Sequence, residues 1–228
     1  MTAASYGIPP AHSTRDAVYL QLKEQILTLT LLPGSALSEQ DMAAAFQVSR
    51  TPVRESFVRL AQEGLVQVLP QRGTFVSLID ADHALEARFM REQLERAVAK
   101  LACDAFPAAS MRALDDNLAA QLSTLKARDE LRMFELDEAF HRTIFAGCSK
   151  LNTWNLLQQA KTHLDRARHL SLAPDRDWRH LYNQHLKITE AIRKRDADWA
   201  EQAMQEHLLQ TVTDLNELKQ QHPHYFKS

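Results

Sequence analysis

The uneven distribution of glycine is the sequence feature that most constrains the fold of this chain. There are five glycines in 228 residues, and four of them, Gly7, Gly34, Gly64 and Gly73, lie in the first third. Glycine supplies tight turns and weakens helix interiors. The distribution therefore predicts short elements and tight turns in the first third of the chain, and long helices in the rest.

Composition and charge leave the function open. The hydrophobic content of 45% and the charged content of 25% are typical of a globular protein. No long apolar run and no secretory signal are present, so we expect a cytoplasmic protein without a membrane span. Cys103 and Cys148 lack CxxC spacing and are interpreted as free thiols. The formal charge is −2, and residues 1–78 hold equal numbers of acidic and basic side chains. DNA binding would therefore depend on where the basic residues are placed.

Residues 14–78 have the pattern of a winged helix-turn-helix. Apolar residues at helical spacing predict helices over 14–28, 39–46 and 50–63, and alternation predicts a β-hairpin from 65–69 and 74–78. Residues 1–13, rich in proline, serine and alanine, are predicted to be a flexible tail.

Residues 79–221 have the pattern of an all-α domain. Breaks at proline, glycine and polar runs divide them into six predicted helices, at 81–104, 108–127, 129–147, 152–169, 176–194 and 197–220. The fold class expected is thus mainly α: an N-terminal winged helix-turn-helix and a C-terminal all-α antiparallel helical bundle. Residues 222–228 are predicted to form a C-terminal tail.

The third predicted helix has the features of a recognition helix. Val53, Phe57 and Leu60 are expected to face the core, whereas Arg50 and Arg54 form a separate pair four residues apart near the helix start. Arginines there can bond guanine or phosphate. A solvated surface charge is the alternative for any single arginine, and for Arg59 an ion pair with Glu55 is expected. The full set of candidate DNA-binding residues is Ser49, Arg50, Thr51, Arg54, Arg72 and Gly73, with Ser49 also a possible helix cap and the last two at the tip of the wing.

Four inward-facing polar residues interrupt the apolar stripes of the helical domain. They are Asp137, His141, His185 and His207, on three predicted helices. Three imidazoles and a carboxylate suit a divalent transition metal, zinc above all, with nickel or manganese as alternatives. Spacing alone also allows each histidine to be a hydrogen-bonded core residue, and Asp137 to pair with an arginine. Three other histidines lack a consistent inward register and are interpreted as surface or second-shell groups: His163, His169 and His180.

The N-terminal segment closely resembles the DNA-binding domain of the GntR family. The motif SRTPVRE, followed by RLAQEGLV and the wing QRGTFV, carries the resemblance. It implies that Arg50, Thr51, Arg54 and Gly73 match positions that touch DNA in relatives. Two residues depart from the pattern. Gln47 stands where relatives often have a turn glycine, so a left-handed conformation there would cost about 1 kcal/mol. Gln40 stands where some relatives carry a phosphate-binding arginine.

The helical segment resembles the FCD effector domain of the FadR subfamily, and six helices suggest its smaller, VanR-like variant. The matching residues are Asp137 to His141, Asn152, Gln184-His185, Glu206 to Leu208, and Arg91 to Glu95. The resemblance implies that Asp137, His141, His185 and His207 bind a metal at the centre of the bundle.

Together these features predict a homodimeric regulator, in the leading interpretation a repressor, that binds a palindromic double-stranded DNA operator. A small carboxylate effector is expected at open positions of the metal, with Arg91 neutralising it; the alternative for Arg91 is an ion pair with Glu95. Two other functions stay open from the sequence: a regulator that responds to the metal itself, and a metal-dependent hydrolase. No glutamate beside the histidines stands as an obvious general base for the latter.

Overall fold

The computed structural model describes residues 13–127, 129–171, 178–210 and 215–227. The predicted N-terminal tail lies outside these residues except for Ser13. The chain divides into two compact units. The first comprises residues 1–81, 165–170 and 216–228, and the second comprises residues 82–164 and 171–215.

The first unit contains three helices and a three-stranded antiparallel sheet. The helices are α1 (Thr14–Leu27), α2 (Glu39–Phe46) and α3 (Arg50–Gln62), and the strands are β1 (Ala36–Leu37), β2 (Val66–Leu69) and β3 (Gly73–Val76). The strand order is β1-β3-β2, and Val66 pairs with Val76 at the open end of the hairpin. Helices α1 and α3 bury their apolar stripes against each other and the sheet, which confirms the predicted winged helix-turn-helix.

Two local details of this unit go beyond the predicted helices and hairpin. The N-cap of α1 is Ser13, whose hydroxyl accepts the backbone N–H of Asp16. The extended residues before α2 form a third strand, β1, which was not predicted. Only two residues pair there with β3, and so short a strand has no alternation to detect.

The segment near the C-terminus also belongs to the first unit. After α11 (Leu215–Gln221), a 3₁₀ turn at Pro223–Tyr225 leads to Phe226, which is buried. The backbone N–H of Ile79 donates to the carbonyl of Tyr225 at 2.8 Å, and the N–H of Lys227 donates to the carbonyl of Ile79 at 2.9 Å. Residues predicted to be a tail thus pair with the chain that follows the wing.

The second unit is helical throughout its described residues. Its helices are α4 (Ala81–Ala102), α5 (Ala108–Ala127), α6 (Glu130–Gly147), α7 (Leu151–Ala160), α8 (Thr162–Leu170), α9 (Trp178–Lys194) and α10 (Ala197–Gln210). The last six residues of α8 are grouped with the first unit. A single apolar core joins α4, α5, α6, α7, α9 and α10, as the predicted all-α bundle requires. No helix within the described ranges is both long and apolar enough to cross a membrane.

The single helix predicted over 152–169 is wrong, because the chain forms α7 and α8 with a break at Lys161. Lys161 is buried, and its ammonium group lies 2.8 Å from a carboxylate oxygen of Glu138. Neither proline nor glycine marks this break in the sequence. The feature found at the break is the ion pair between Lys161 and Glu138. Residues 211–214 of the last predicted helix lie outside the described residues.

Candidate metal centre and nucleic-acid interface

The N-terminal end of α3 presents the predicted recognition residues to solvent. Val53, Phe57 and Leu60 are buried, as expected, and this burial fixes which face of α3 points outward. The predicted DNA-binding residues of the helix and wing are all exposed: Ser49, Arg50, Thr51, Arg54, Arg72 and Gly73. Ser49 occupies the N-cap position, but its side chain makes no capping hydrogen bond, which leaves the hydroxyl available for a phosphate.

Glu39, at the start of α2, brings the two arginines of α3 together. Its carboxylate accepts a hydrogen bond from Arg50 at 2.9 Å and from Arg54 at 3.0 Å. These bonds lower the pKa of Glu39, with Arg54 making the largest contribution. The two guanidinium groups are thus held side by side, although about two thirds of each side chain remains exposed.

The turn before α3 and the tip of the wing both use left-handed backbone conformations. Gln47 has φ 55° and ψ 43°, so the left-handed conformation predicted for this residue is present. At the wing, Gln71 has φ 61° and Gly73 has φ 108°. The tight turn places Arg72 at the tip of the wing, where its side chain is exposed.

The ion pair predicted between Arg59 and Glu55 is wrong. Arg59 stacks on the ring of Tyr19, with its guanidinium carbon 3.6 Å from the ring centroid, and lies near Asp16. Glu55 pairs instead with Arg15 at 3.2 Å. Both side chains find partners on α1, and Arg59 also lies 3.7 Å from Glu63, four residues further along the chain.

In the helical unit, the four predicted metal ligands converge at one buried point. Asp137 and His141 lie on α6, His185 on α9 and His207 on α10, and each is at most 1% exposed. One ligand atom from each lies within 4.8 Å of the others. The Nε2 atoms of His141 and His207 are 3.0 Å apart, and Oδ1 of Asp137 is 3.2 Å from Nε2 of His185. The predicted convergence of these residues is therefore present.

Each histidine turns Nε2 to the centre because a second polar residue engages its Nδ1. Oε1 of Gln121 lies 3.0 Å from Nδ1 of His185, and Oε1 of Gln184 lies 3.2 Å from Nδ1 of His207. Nδ1 of His141 contacts the Glu95 carboxylate. Such partners fix the tautomer and ring orientation of imidazole ligands.

Burial and neighbouring charges give the three histidines different proton affinities. Burial lowers the pKa of His185, and it lowers the pKa of His207 strongly, with the other two histidines adding to the effect. Burial alone would also lower the pKa of His141, but Glu95 raises it above the usual value. At neutral pH His185 and His207 are thus neutral and offer a lone pair to a cation.

The donor set fits a divalent transition metal. It comprises three imidazole nitrogens and one carboxylate oxygen, and Oδ1 of Asp137 lies 3.2 to 3.9 Å from Nε2 of the three histidines. Nε2 of His185 is buried and makes no hydrogen bond to any described residue. Bare imidazole nitrogens packed against one another and against a carboxylate oxygen are electrostatically unfavourable unless a cation or protons lie between them.

Arg91 lies beside this centre rather than at the surface. It is buried, donates to Glu95 at 2.6 Å and lies 4.0 Å from Asp137. The ion pair with Glu95 that the sequence allowed is present, and so is an arginine near Asp137. These two charged contacts of Arg91 are present together with the clustered side chains of Asp137, His141, His185 and His207.

The roles of Gln121 and Gln184 as amide partners of the histidines were not predicted from the sequence. Gln121 continues the apolar stripe of Leu114 and Leu118 on α5, and a fully buried glutamine on such a stripe was the available signal. Of the three histidines set aside, His163 is buried, contrary to the surface reading, and its ring lies 5.0 Å from that of His83. It is not part of the metal-ligand cluster.

Known protein families match both the N-terminal and the C-terminal part of the chain. Residues 14–76 match the gntR family of bacterial regulatory proteins, and residues 86–210 match the FCD domain. An HTH-type transcriptional regulator of Streptomyces ambofaciens, from an unstable DNA locus, is 41% identical over 94% of this chain and 90% of its own length. The HTH-type transcriptional repressor RspR of Escherichia coli K12 is 33% identical over 95% of both chains.

Two solved structures share the fold. E. coli McbR/YncC has a TM-score of 0.79 at 20% identity, over 92% of this chain and 99% of its own. A GntR regulator from Rhodococcus sp. RHA1 has a TM-score of 0.71 at 23% identity, over 95% of this chain and all of its own. From the domain matches and the full-length relatives, the chain belongs to the GntR family of bacterial regulatory proteins, carries an FCD domain, and is a DNA-binding transcription regulator rather than an enzyme.

Proposed function

We propose that this regulator is a ligand-gated repressor whose helical unit holds a divalent transition metal, zinc foremost, through Asp137, His141, His185 and His207. The observation that carries the proposal is the convergence of these four buried ligand atoms within 4.8 Å. The bound metal would supply a Lewis-acidic site at which a carboxylate oxygen can coordinate. A homodimer would place two α3 helices on a palindromic operator.

Arg91 is the residue proposed to recognise a small carboxylate effector at this metal. Its guanidinium is buried beside Asp137 and Glu95, where a second anion would gain a charge-assisted hydrogen bond. The effector can control DNA binding only if it binds one arrangement of the dimer more tightly than the other. The repressor assignment draws support from the printed name of RspR, whose relation to this chain spans nearly its full length.

The DNA half is tested with a duplex that the wild-type protein selects from a random-sequence pool. Arg54→Ala should abolish specific binding to that duplex while leaving the dimer folded, since Arg54 is exposed on the outer face of α3. Arg132→Ala, which removes an exposed arginine of the helical unit, is the matched control and should bind normally. Unchanged affinity of the Arg54 variant would remove the recognition-helix assignment.

The metal half is tested by elemental analysis of the purified protein. Wild type should hold about one metal ion per chain, and a variant with His141→Ala and His185→Ala should hold none. Full occupancy in that variant would refute the site.

A metal-responsive regulator is the second candidate, because the same four ligands serve both mechanisms. Titrating the metal alone, and then small carboxylic acids at fixed metal, while operator binding is followed, separates the two. If the metal alone changes operator affinity and no acid does, the ion is the signal.

A further inference from the structure

A chain of side-chain hydrogen bonds runs from the backbone of α6, through α5, to one of the proposed metal ligands. Nδ2 of Asn117 donates to the carbonyl oxygen of Leu136 at 3.0 Å. Nε2 of Gln121 donates to Oδ1 of Asn117 at 2.6 Å. Oε1 of Gln121 then lies 3.0 Å from Nδ1 of His185. Gln121 and His185 are fully buried, so water does not compete for these bonds.

The direction of every bond in this chain is set by its first member. The Leu136 carbonyl can only accept, so the Asn117 amide must turn its NH₂ group toward it. Oδ1 of Asn117 then faces Gln121 and accepts from the Gln121 NH₂ group. Gln121 has only its oxygen left for His185, so Nδ1 of His185 must carry a hydrogen and donate it.

The consequence falls on the other nitrogen of the ring. A neutral imidazole with its hydrogen on Nδ1 has a bare lone pair on Nε2. That Nε2 lies 3.2 Å from Oδ1 of Asp137. In the opposite tautomer Nε2 would carry a hydrogen facing this carboxylate, and His185 would have no lone pair to offer to a metal there.

We propose that Asn117 and Gln121 are positioning residues that hold His185 in its metal-binding tautomer. The inference rests on the proposed metal centre for its purpose, but the tautomer exists without any metal. Because Leu136 directly precedes Asp137, α6 carries both a ligand and the fixed end of the chain of bonds. The packing of α5 on α6 thereby controls which nitrogen of His185 is bare.

The tautomer can be measured directly in the metal-free protein. Long-range ¹H–¹⁵N correlation spectra distinguish protonated from bare imidazole nitrogens, and the His185→Gln variant assigns the signal. Above the ordinary histidine pKa of about 6.5, wild-type His185 should show a protonated Nδ1 and a bare Nε2. In Gln121→Met, which keeps the side-chain length but removes the acceptor, the hydrogen should move to Nε2 and bond Asp137.

Metal affinity, measured by competition with a zinc chelator, gives the second readout. Gln121→Met should weaken zinc binding by about 10- to 100-fold, as is typical when an outer partner of a metal-binding histidine is lost. Gln121→Glu retains an acceptor for Nδ1 and should bind within about threefold of wild type or more tightly. Asn117→Leu should weaken binding by less than Gln121→Met. In the Gln121→Met background it should add nothing, because Asn117 acts through Gln121.

Gln158→Met is the matched control, because Gln158 is a partly buried glutamine that donates to Glu138 away from the metal centre. It should change neither the His185 tautomer nor the zinc affinity.

A wild-type His185 with its hydrogen on Nε2 would overturn the inference. Additive losses of zinc affinity in the double variant with Asn117→Leu and Gln121→Met would also overturn it. If Gln121→Met does not fold, the Gln121→Glu variant tests the proposal instead. Weaker zinc binding together with an altered His185 tautomer in that variant would reject the proposal. A wild-type protein that binds no zinc but keeps the Nδ1-protonated tautomer would refute the metal centre and leave the hydrogen-bond chain intact.

Discussion

At the scale of single residues, Glu39 has two opposing effects on the DNA-binding surface. It holds Arg50 and Arg54 side by side, which preorganises them for a guanine or a phosphate. It also places a negative charge where the phosphate backbone would approach. We therefore expect Glu39 to increase the preference for the operator over other DNA and not the overall affinity for DNA.

Glu39→Gln tests this role. Removing one negative charge from this surface should raise affinity for a non-operator duplex by roughly threefold at low salt. The preference for the selected operator should fall, because the arginines lose their common anchor. Fluorescence anisotropy with both duplexes measures the two effects. Glu24→Gln removes an exposed charge from α1 and is the control; equal effects of the two substitutions would show that Glu39 acts only through bulk charge.

Gln47 carries a backbone cost that can be removed. A non-glycine residue in the left-handed region is disfavoured by about 1 kcal/mol, and Gln47 ends α2 in that conformation. Gln47→Gly should therefore raise the free energy of opening of the first unit by about 1 kcal/mol. Native-state hydrogen exchange at the amides of Val53 and Phe57 measures it.

The control for that experiment lies in the same helix. Gln40 is exposed within α2, where glycine costs up to about 1 kcal/mol. Gln40→Gly should thus shift the same amides in the opposite direction. Stabilisation by both substitutions would contradict the relief of strain at Gln47, because glycine inside a helix should lower stability.

At this scale, residues of the candidate sites could be predicted where apolar spacing or an unusual residue in the sequence marked them. The inward stripe of α3, the left-handed Gln47 and the four residues of the proposed metal centre could all be expected from spacing or from the family resemblance. The contacts of Glu55 and Arg59 with α1 could not be expected, because Arg15 and Tyr19 are 40 positions away in the sequence. Only the contact of Arg59 with Glu63 follows helical spacing. Asn117 was equally hidden, since its role depends on the packing of α5 against α6.

At the scale of elements, the contact between α6 and the loop before α5 depends on the absence of a side chain at Gly147. A Cβ built there would lie 2.2 Å from the ring of Phe106, far inside van der Waals contact. The last turn of α6 therefore packs directly on that ring, which itself covers the core of the helical unit.

Gly147→Ala should destabilise the helical unit by about 1 to 3 kcal/mol, the usual cost of overpacking. Urea denaturation followed by tryptophan fluorescence measures this loss, because Trp154, Trp178 and Trp199 all lie in the helical unit. Phe106→Leu makes room for the added methyl group. The double variant should lose less stability than the sum of the two single variants, and strict additivity would contradict the packing argument.

Helix bounds were predicted well where glycine, proline or a capping residue marked them. Helix α2 has the predicted bounds, and the start of α5 follows Pro107 as expected. The break between α7 and α8 had no such marker, because it coincides with a buried ion pair between Lys161 and Glu138. Strand β1 was missed because its two residues gain their conformation only by pairing with β3.

At the scale of the whole molecule, the proposed metal should stabilise one unit selectively. A ligand that binds only the folded state stabilises it by about 3 kcal/mol at 100 times its dissociation constant. Removing the metal with a chelator should therefore lower the urea concentration at the midpoint of unfolding reported by tryptophan fluorescence. The hydrogen exchange of Val53 and Phe57 in the first unit should be less affected. A variant with Asp137→Asn should be insensitive to chelation; equal sensitivity of this variant would argue against the site.

The pairing of Ile79 with residues 225–227 has a consequence for how the protein is made. The unit that reads DNA is completed by a segment synthesised after all of the helical unit. During translation the winged helices emerge first, but the backbone groups of Ile79 can pair with residues 225–227 only after these have left the ribosome. The DNA-binding unit of a nascent chain is thus still incomplete when the helical unit has already been synthesised.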